Sequence, residues 1–379
     1  MDAYDYAASK LDGATLKRVD TFWEVFSDQA AAIEKYLAAS GGPDTGQLMS
    51  MIRTALRPVS KDLMWEFEAI DIGHALTVTA EWRDELRPLT RLLLQRAPNL
   101  TGWQFREARQ PVPAEQVIDQ AKARLRSDLS IIEIRPSASG ARAVNLDVSG
   151  PTSEDELVHQ SILLFSLLKG EALDRIWLGE ISGSRPTLMR SILAGDNPAS
   201  ELDIELLMNE IDECIDDVRE LAPDAPFCDV PLDTREMSLL EPAEPGQGPS
   251  PRDDLITLTS TYPEMIIAQL NGKRFASERF SGFGETFAML KFARTDGHFG
   301  DVEERYGLEE KLQDALAESR AGGVTGGAFG QAHAYIDVAL LHVGDAIDIL
   351  TNVLRAEGIS TGTTLHFFEP GLDKFIVTV

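Results

Sequence analysis

The stretch Ala332-His-Ala-Tyr-Ile-Asp-Val-Ala-Leu340 decides how the fold is read: apolar, β-branched and aromatic residues without glycine or proline predict a strand. After it, apolar spacing predicts a helix over 344–357 and strands near 363–368 and 374–379. Before it come a helical region near 255–271, a strand Glu285-Thr-Phe-Ala-Met-Leu-Lys-Phe292 and a helix over 302–318. Between that helix and the deciding strand lies Ala321-Gly-Gly-Val-Thr-Gly-Gly-Ala-Phe-Gly330, which reads as a glycine-rich turn. Strands alternating with helices of about 15 residues imply an α+β module, a mostly antiparallel sheet covered by helices, broadly ferredoxin-like.

The N-terminal half has its own rhythm. A long amphipathic helix over 14–39 places Leu16, Val19, Phe22, Trp23, Phe26, Ile33 and Leu37 at helical intervals. After a second helix come two alternating strands, 63–70 and 74–82, with Asp71-Ile-Gly73 as a hairpin turn, a helix over 83–96 and a strand over 102–109. The same order of strand, strand, helix, strand recurs after a helix near 114–126: strands 129–135 and 141–149, a helix 153–169 and a strand 173–181. The expected organisation is an α+β module over 1–112 and a second over 113–221, closed by an acidic helix near 201–220. A proline-rich acidic linker over 222–251 and a C-terminal α+β module over 252–379 follow.

Composition limits the function classes. With 379 residues, 43% hydrophobic and 26% charged, the chain reads as globular and soluble. The longest apolar runs, such as 162–168, are far shorter than the roughly 18 residues that suggest a membrane span. The start of the chain lacks the basic and apolar stretches of a secretory signal, so a cytoplasmic protein is expected. A formal charge of −27 disfavours nucleic acid and anionic membranes as partners. Between Glu201 and Asp254 stand 17 acidic residues against three basic ones, Arg219, Arg235 and Arg252, which suggests either a solvated face or a surface for a basic protein partner.

Chemistry is sparse. Two cysteines, Cys214 and Cys228, lack metal-ligand spacing, and no zinc-protease, nucleophile-elbow or calcium-loop pattern occurs, so no cofactor is expected. The glycine-rich segment follows a helix and enters a strand, the reverse of a phosphate-binding loop. His333 and His366, read as lying on neighbouring strands, could act with Asp337 or Glu369 as a metal or acid–base group. Lys273, Arg274 and Arg279 form a small basic cluster that could attract an anion or make surface ion pairs. The tryptophans, all within predicted elements, read as structural.

Leu308 to Leu316, the glycine-rich segment, Tyr335-Ile-Asp-Val338 and Thr363-Thr-Leu-His-Phe367 together resemble small α+β modules of bacterial proteins of unknown function. Ala97-Pro-Asn-Leu-Thr-Gly-Trp-Gln-Phe105, with Arg109 and Pro111, is similar to part of such a family. The resemblance implies a ferredoxin-like fold and bacterial origin, and it carries over no catalytic residue. By analogy, some modules of this kind are protein inhibitors or immunity factors. The expected function is a non-catalytic binding or regulatory protein. The alternative is an enzyme or small-molecule sensor with a cleft between modules.

Overall fold

The computed structural model describes residues 1–38, 45–184, 202–232, 236–239, 252, 254–294, 302–359 and 362–379. They form two compact units, 3–109 and 110–379, the latter including Met1 and Asp2. The chain is α+β, with mostly antiparallel sheets.

In the first unit, helices α1 (Ala3–Ser9), α2 (Gly13–Ala38) and α3 (Thr45–Leu56) precede the hairpin of β1 (Met64–Ile70) and β2 (Gly73–Thr79); α4 (Arg87–Gln95) and β3 (Trp103–Arg106) complete it. The Asp12 carboxylate accepts the Thr15 amide at 2.6 Å, satisfying one of the donors that a helix start leaves open. That hydrogen bond holds the Asp12 carboxyl below its ordinary range. From α2, Trp23 meets Phe105 at a centroid distance of 4.7 Å and Phe26 meets Trp103 at 4.9 Å, both edge-on. Strands β1 and β2 are antiparallel with Ile70 opposite Gly73, leaving Asp71 and Ile72 as the turn. β3 then joins β2 in parallel. Of the tryptophans read as structural, Trp82 departs from that reading, being 48% exposed.

The second unit begins on the same plan. Helix α5 (Ala114–Leu125) leads to antiparallel β4 (Glu133–Ala138) and β5 (Val144–Ser149), then α6 (Glu154–Trp177) and β6 (Leu178–Ser184), parallel to β5. The recurring element order therefore comes with a recurring pairing pattern, antiparallel and then parallel. The strand expected over 173–181 starts only at Leu178. Gly170, at φ 78°, breaks α6, and a further helical stretch runs to Trp177. Glu171, Asp174, Arg175 and Trp177 are all buried, a helical rather than alternating spacing, and the Glu171–Arg175 ion pair at 2.7 Å spans one turn. Helix α7 (Ile204–Arg219) presents Ile204, Leu207, Ile211, Ile215 and Val218 to the core shared with α5, β5 and α6.

The remaining strands are β7 (Glu236–Leu239), β8 (Leu255–Ser260), β9 (Thr286–Ala293), β10 (Gly322–Gly330), β11 (His333–Leu340), β12 (Thr364–Phe367) and β13 (Ile376–Thr378). They build one sheet in the order β13-β12-β9-β11-β10-β8-β7, every neighbouring pair antiparallel. Helix α8 (Pro263–Leu270) follows β8, α9 (Val302–Glu318) joins β9 to β10, and α10 (Val343–Ala356) joins β11 to β12. Half of the segment read as a linker lies outside the described residues. Of the described part, Phe227 is fully buried in the aromatic core with Tyr262 and Phe287, and β7 pairs with β8.

Two local expectations are corrected here. Leu255 to Ser260 is a strand rather than the start of a helix, because Ile256, Thr257 and Thr259 are β-branched and suit the pleat, and α8 starts only at Pro263. The glycine-rich turn is β10, buried along its whole length between β8 and β11. Its glycines serve close approach. A β-carbon on Gly326 would stand 2.4 Å from the Thr259 carbonyl oxygen.

Candidate functional site

The histidines and carboxylates singled out in the C-terminal module fall on or beside this sheet. Asp337 of β11 and His366 of β12 are both opposite Met289 of β9, so the three project to one face. The expected adjacency of the two histidine strands fails, because β9 lies between β11 and β12. His333 and His366 therefore do not form an acid–base pair.

Each group is instead engaged locally. The Arg252 guanidinium donates to both Asp337 oxygens, at 2.6 and 3.0 Å, with both side chains almost wholly buried. The Asp254 carboxylate accepts the Tyr335 hydroxyl at 2.5 Å, the Ala332 amide at 2.9 Å and the His333 amide at 3.1 Å. Burial alone would raise its pKa, but these hydrogen bonds hold the carboxyl below the ordinary value. His333 Nδ1 lies 3.3 Å from the same carboxylate. Burial, with Lys291 and Arg252 nearby, pushes the His366 imidazole down to about 4, so it is neutral at physiological pH. Its Nε2 is 2.9 Å from the Thr364 hydroxyl. Glu369 accepts the Ser277 amide at 3.0 Å. This network ties Arg252 and Asp254 to β11, and Asp337, held at both oxygens, is poorly placed to act as a base.

The members of the basic cluster are engaged in different ways. Arg279 is 2% exposed, not a surface cation. It donates to the carbonyls of Ile176, Leu178 and Arg274. Burial and the neighbouring Arg274 lower its pKa to about 10. Lys273 pairs with Glu180 at 3.0 Å. Near Arg274 lies Asp174, 1% exposed, whose carboxyl burial raises to about 7. Sequence reading missed Asp174, Asp254 and the role of Arg252, since nothing in their local pattern announces burial.

The acidic helix keeps its predicted polarity. Opposite the buried stripe of α7, Glu205, Asp212, Glu213, Asp216, Asp217 and Glu220 are exposed. Lys169 pairs with Asp212 at 2.6 Å and Arg219 with Asp216 at 3.1 Å. Glu205, Glu213, Asp217 and Glu220 have no cation partner among the described residues. Leu206, 53% exposed, adds an apolar group to the same surface.

Among the described residues no group of three or more His, Cys, Asp and Glu could hold a metal ion, and no helix is long and apolar enough to cross a membrane. Compared with known proteins, the chain matches no family model, no curated protein and no solved structure.

Proposed function

We propose that the chain is a non-catalytic binding protein that docks a basic protein partner on the outer face of α7. One observation carries this reading: four exposed carboxylates, Glu205, Glu213, Asp217 and Glu220, stand unneutralised among the described residues on a helix whose other face is fixed in a core. Glu213 and Asp217 are four residues apart, where like charges repel, and an incoming cation relieves that repulsion. Such charge complementarity governs association rate and choice of partner more than raw affinity. The free thiols of Cys214 and Cys228 support a reducing, cytoplasmic setting for this binding.

The connectivity of the large sheet supports a ferredoxin-like core as its scaffold. Strands β9 to β12 with α9 and α10 run strand, helix, strand, strand, helix, strand, in the spatial order β12-β9-β11-β10. In this reading β7, β8 and β13 extend that core at its edges.

The test is capture from a cell lysate on the immobilised full chain at about 50 and 300 mM salt, beside the variant E213Q/D217N/E220Q. Retention of one basic protein at low salt, lost at high salt and lost by the variant, is the expected result. A partner retained equally by the variant would remove α7 from the reading, and enrichment of no basic protein would remove the reading itself.

A further inference from the structure

We propose that the surface around α3 in the first unit is a binding site for a small phosphate-bearing ligand. Two grooves, of about 530 and 260 Å³, share Arg53 and Arg57 in their walls. Ser50 and Thr54 line the larger, and Ser60, Lys61 and Trp65 line the smaller. Among the described residues, none that lines either groove is acidic, in a chain whose formal charge is −27.

Arg53, Arg57 and Lys61 follow one another at intervals of four residues. No carboxylate pairs with them among the described residues, and the nearest in sequence, Asp62, is taken by Arg83 at 2.8 Å. Cations in the last turn of a helix complement its dipole, which accounts for Arg53 but not for Arg57 and Lys61 beyond the helix end. In the smaller groove two guanidinium forks and an ammonium, with the Ser60 hydroxyl beside them, match the oxygens of a phosphate monoester. The half-buried Trp65, with Leu56 and Leu63, supplies an apolar wall on which the organic part of the ligand rests. The ligand class is therefore a phosphate monoester of a planar or apolar group. This proposal does not depend on α7.

The experiment is calorimetric titration of the full chain with phenyl phosphate, phenol and inorganic phosphate. Phenyl phosphate is expected to bind once per chain and tighter than inorganic phosphate, with phenol not binding. R53A/R57A should weaken phenyl phosphate by about tenfold or more with an unchanged melting temperature, since both side chains are exposed. Should that variant unfold, R53K/R57K decides, because it keeps the charge and loses the forks; a several-fold weakening is expected. No binding of phenyl phosphate at millimolar concentration, or affinity unchanged in the folded variants, overturns the proposal. A phosphopeptide bound more tightly than phenyl phosphate through the same arginines overturns the small-ligand assignment.

Discussion

Glu309 of α9 places its Oε1 2.1 Å from the point where a β-carbon on Gly327 would sit, so helix and strand meet only because that residue has no side chain. Glu309 is fully buried and paired with Arg305 at 3.0 Å, and Arg305 in turn donates to the Thr259 hydroxyl at 3.2 Å. An added methyl must displace a buried ion pair. Gly327→Ala is expected to destabilise the chain by about 2–4 kcal/mol in urea denaturation. Gly282→Ala, where nothing lies within 4 Å, should change stability by less than about 1 kcal/mol. Equal effects of the two would show that crowding at β10 is not the cause.

Arg252 and Asp337 form a second buried pair, whose attraction offsets the cost of removing both charges from water. Removing one partner leaves the other uncompensated, so Arg252→Met or Asp337→Leu should each cost about 3–5 kcal/mol. The double variant R252M/D337L should recover most of that loss. Additive losses in the double-mutant cycle would mean that the two side chains do not act as a pair.

The Asp174 carboxyl titrates near 7 in the folded chain, above its unfolded value near 3.8, so the folded state holds the proton more tightly. Its contribution to stability is greatest below pH 4, declines as pH rises, and is gone above about 7. Asp174→Asn removes that decline. Between pH 4 and 7 the wild type should lose stability relative to D174N, on the order of 3 kcal/mol at most. Parallel urea midpoints across this range would show that the carboxyl titrates normally.

His366 has the opposite sign. Its folded value near 4 lies below the unfolded 6.5, so the unfolded chain takes up the proton first. The stability it contributes is present above pH 6.5 and is lost as pH falls toward 4. His366→Gln should remove this acid-side loss and leave the Asp174 effect in isolation, and D174N/H366Q should show neither slope. A wild type whose stability is nearly level between pH 4.5 and 6.5, with slopes of opposite sign in the two single variants, is the expected pattern. Identical profiles for H366Q and wild type would show that the imidazole is not withheld from protonation.

The amphipathic helices were legible from spacing alone. Val19, Phe22 and Phe26 in α2, and Leu207, Ile211 and Ile215 in α7, declare a buried stripe because helical geometry repeats every 3.6 residues whatever the stripe packs against. The hairpin of β1 and β2 and the recurring strand-strand-helix-strand order were equally readable, since turn residues and alternation are local signals. The acidic face of α7 needed nothing beyond composition.

Other features had no local signal. Glycines at 322–330 look the same whether they form a turn or let two strands and a helix crowd together, and only the arrival of Thr259 and Glu309 at those positions decides. Asp174 and Arg175 read as part of a strand over 173–181, until Gly170 breaks the helix and the helical stretch after it buries them with Glu171. His333 and His366 were separated by β9, whose place between them is fixed by pairing over long sequence distances. Sequence thus determined which faces are apolar and where charge accumulates, because these depend on residue type and local periodicity. Tertiary structure alone decided which charges are buried, paired or left open, because burial and pairing depend on what the rest of the chain brings alongside.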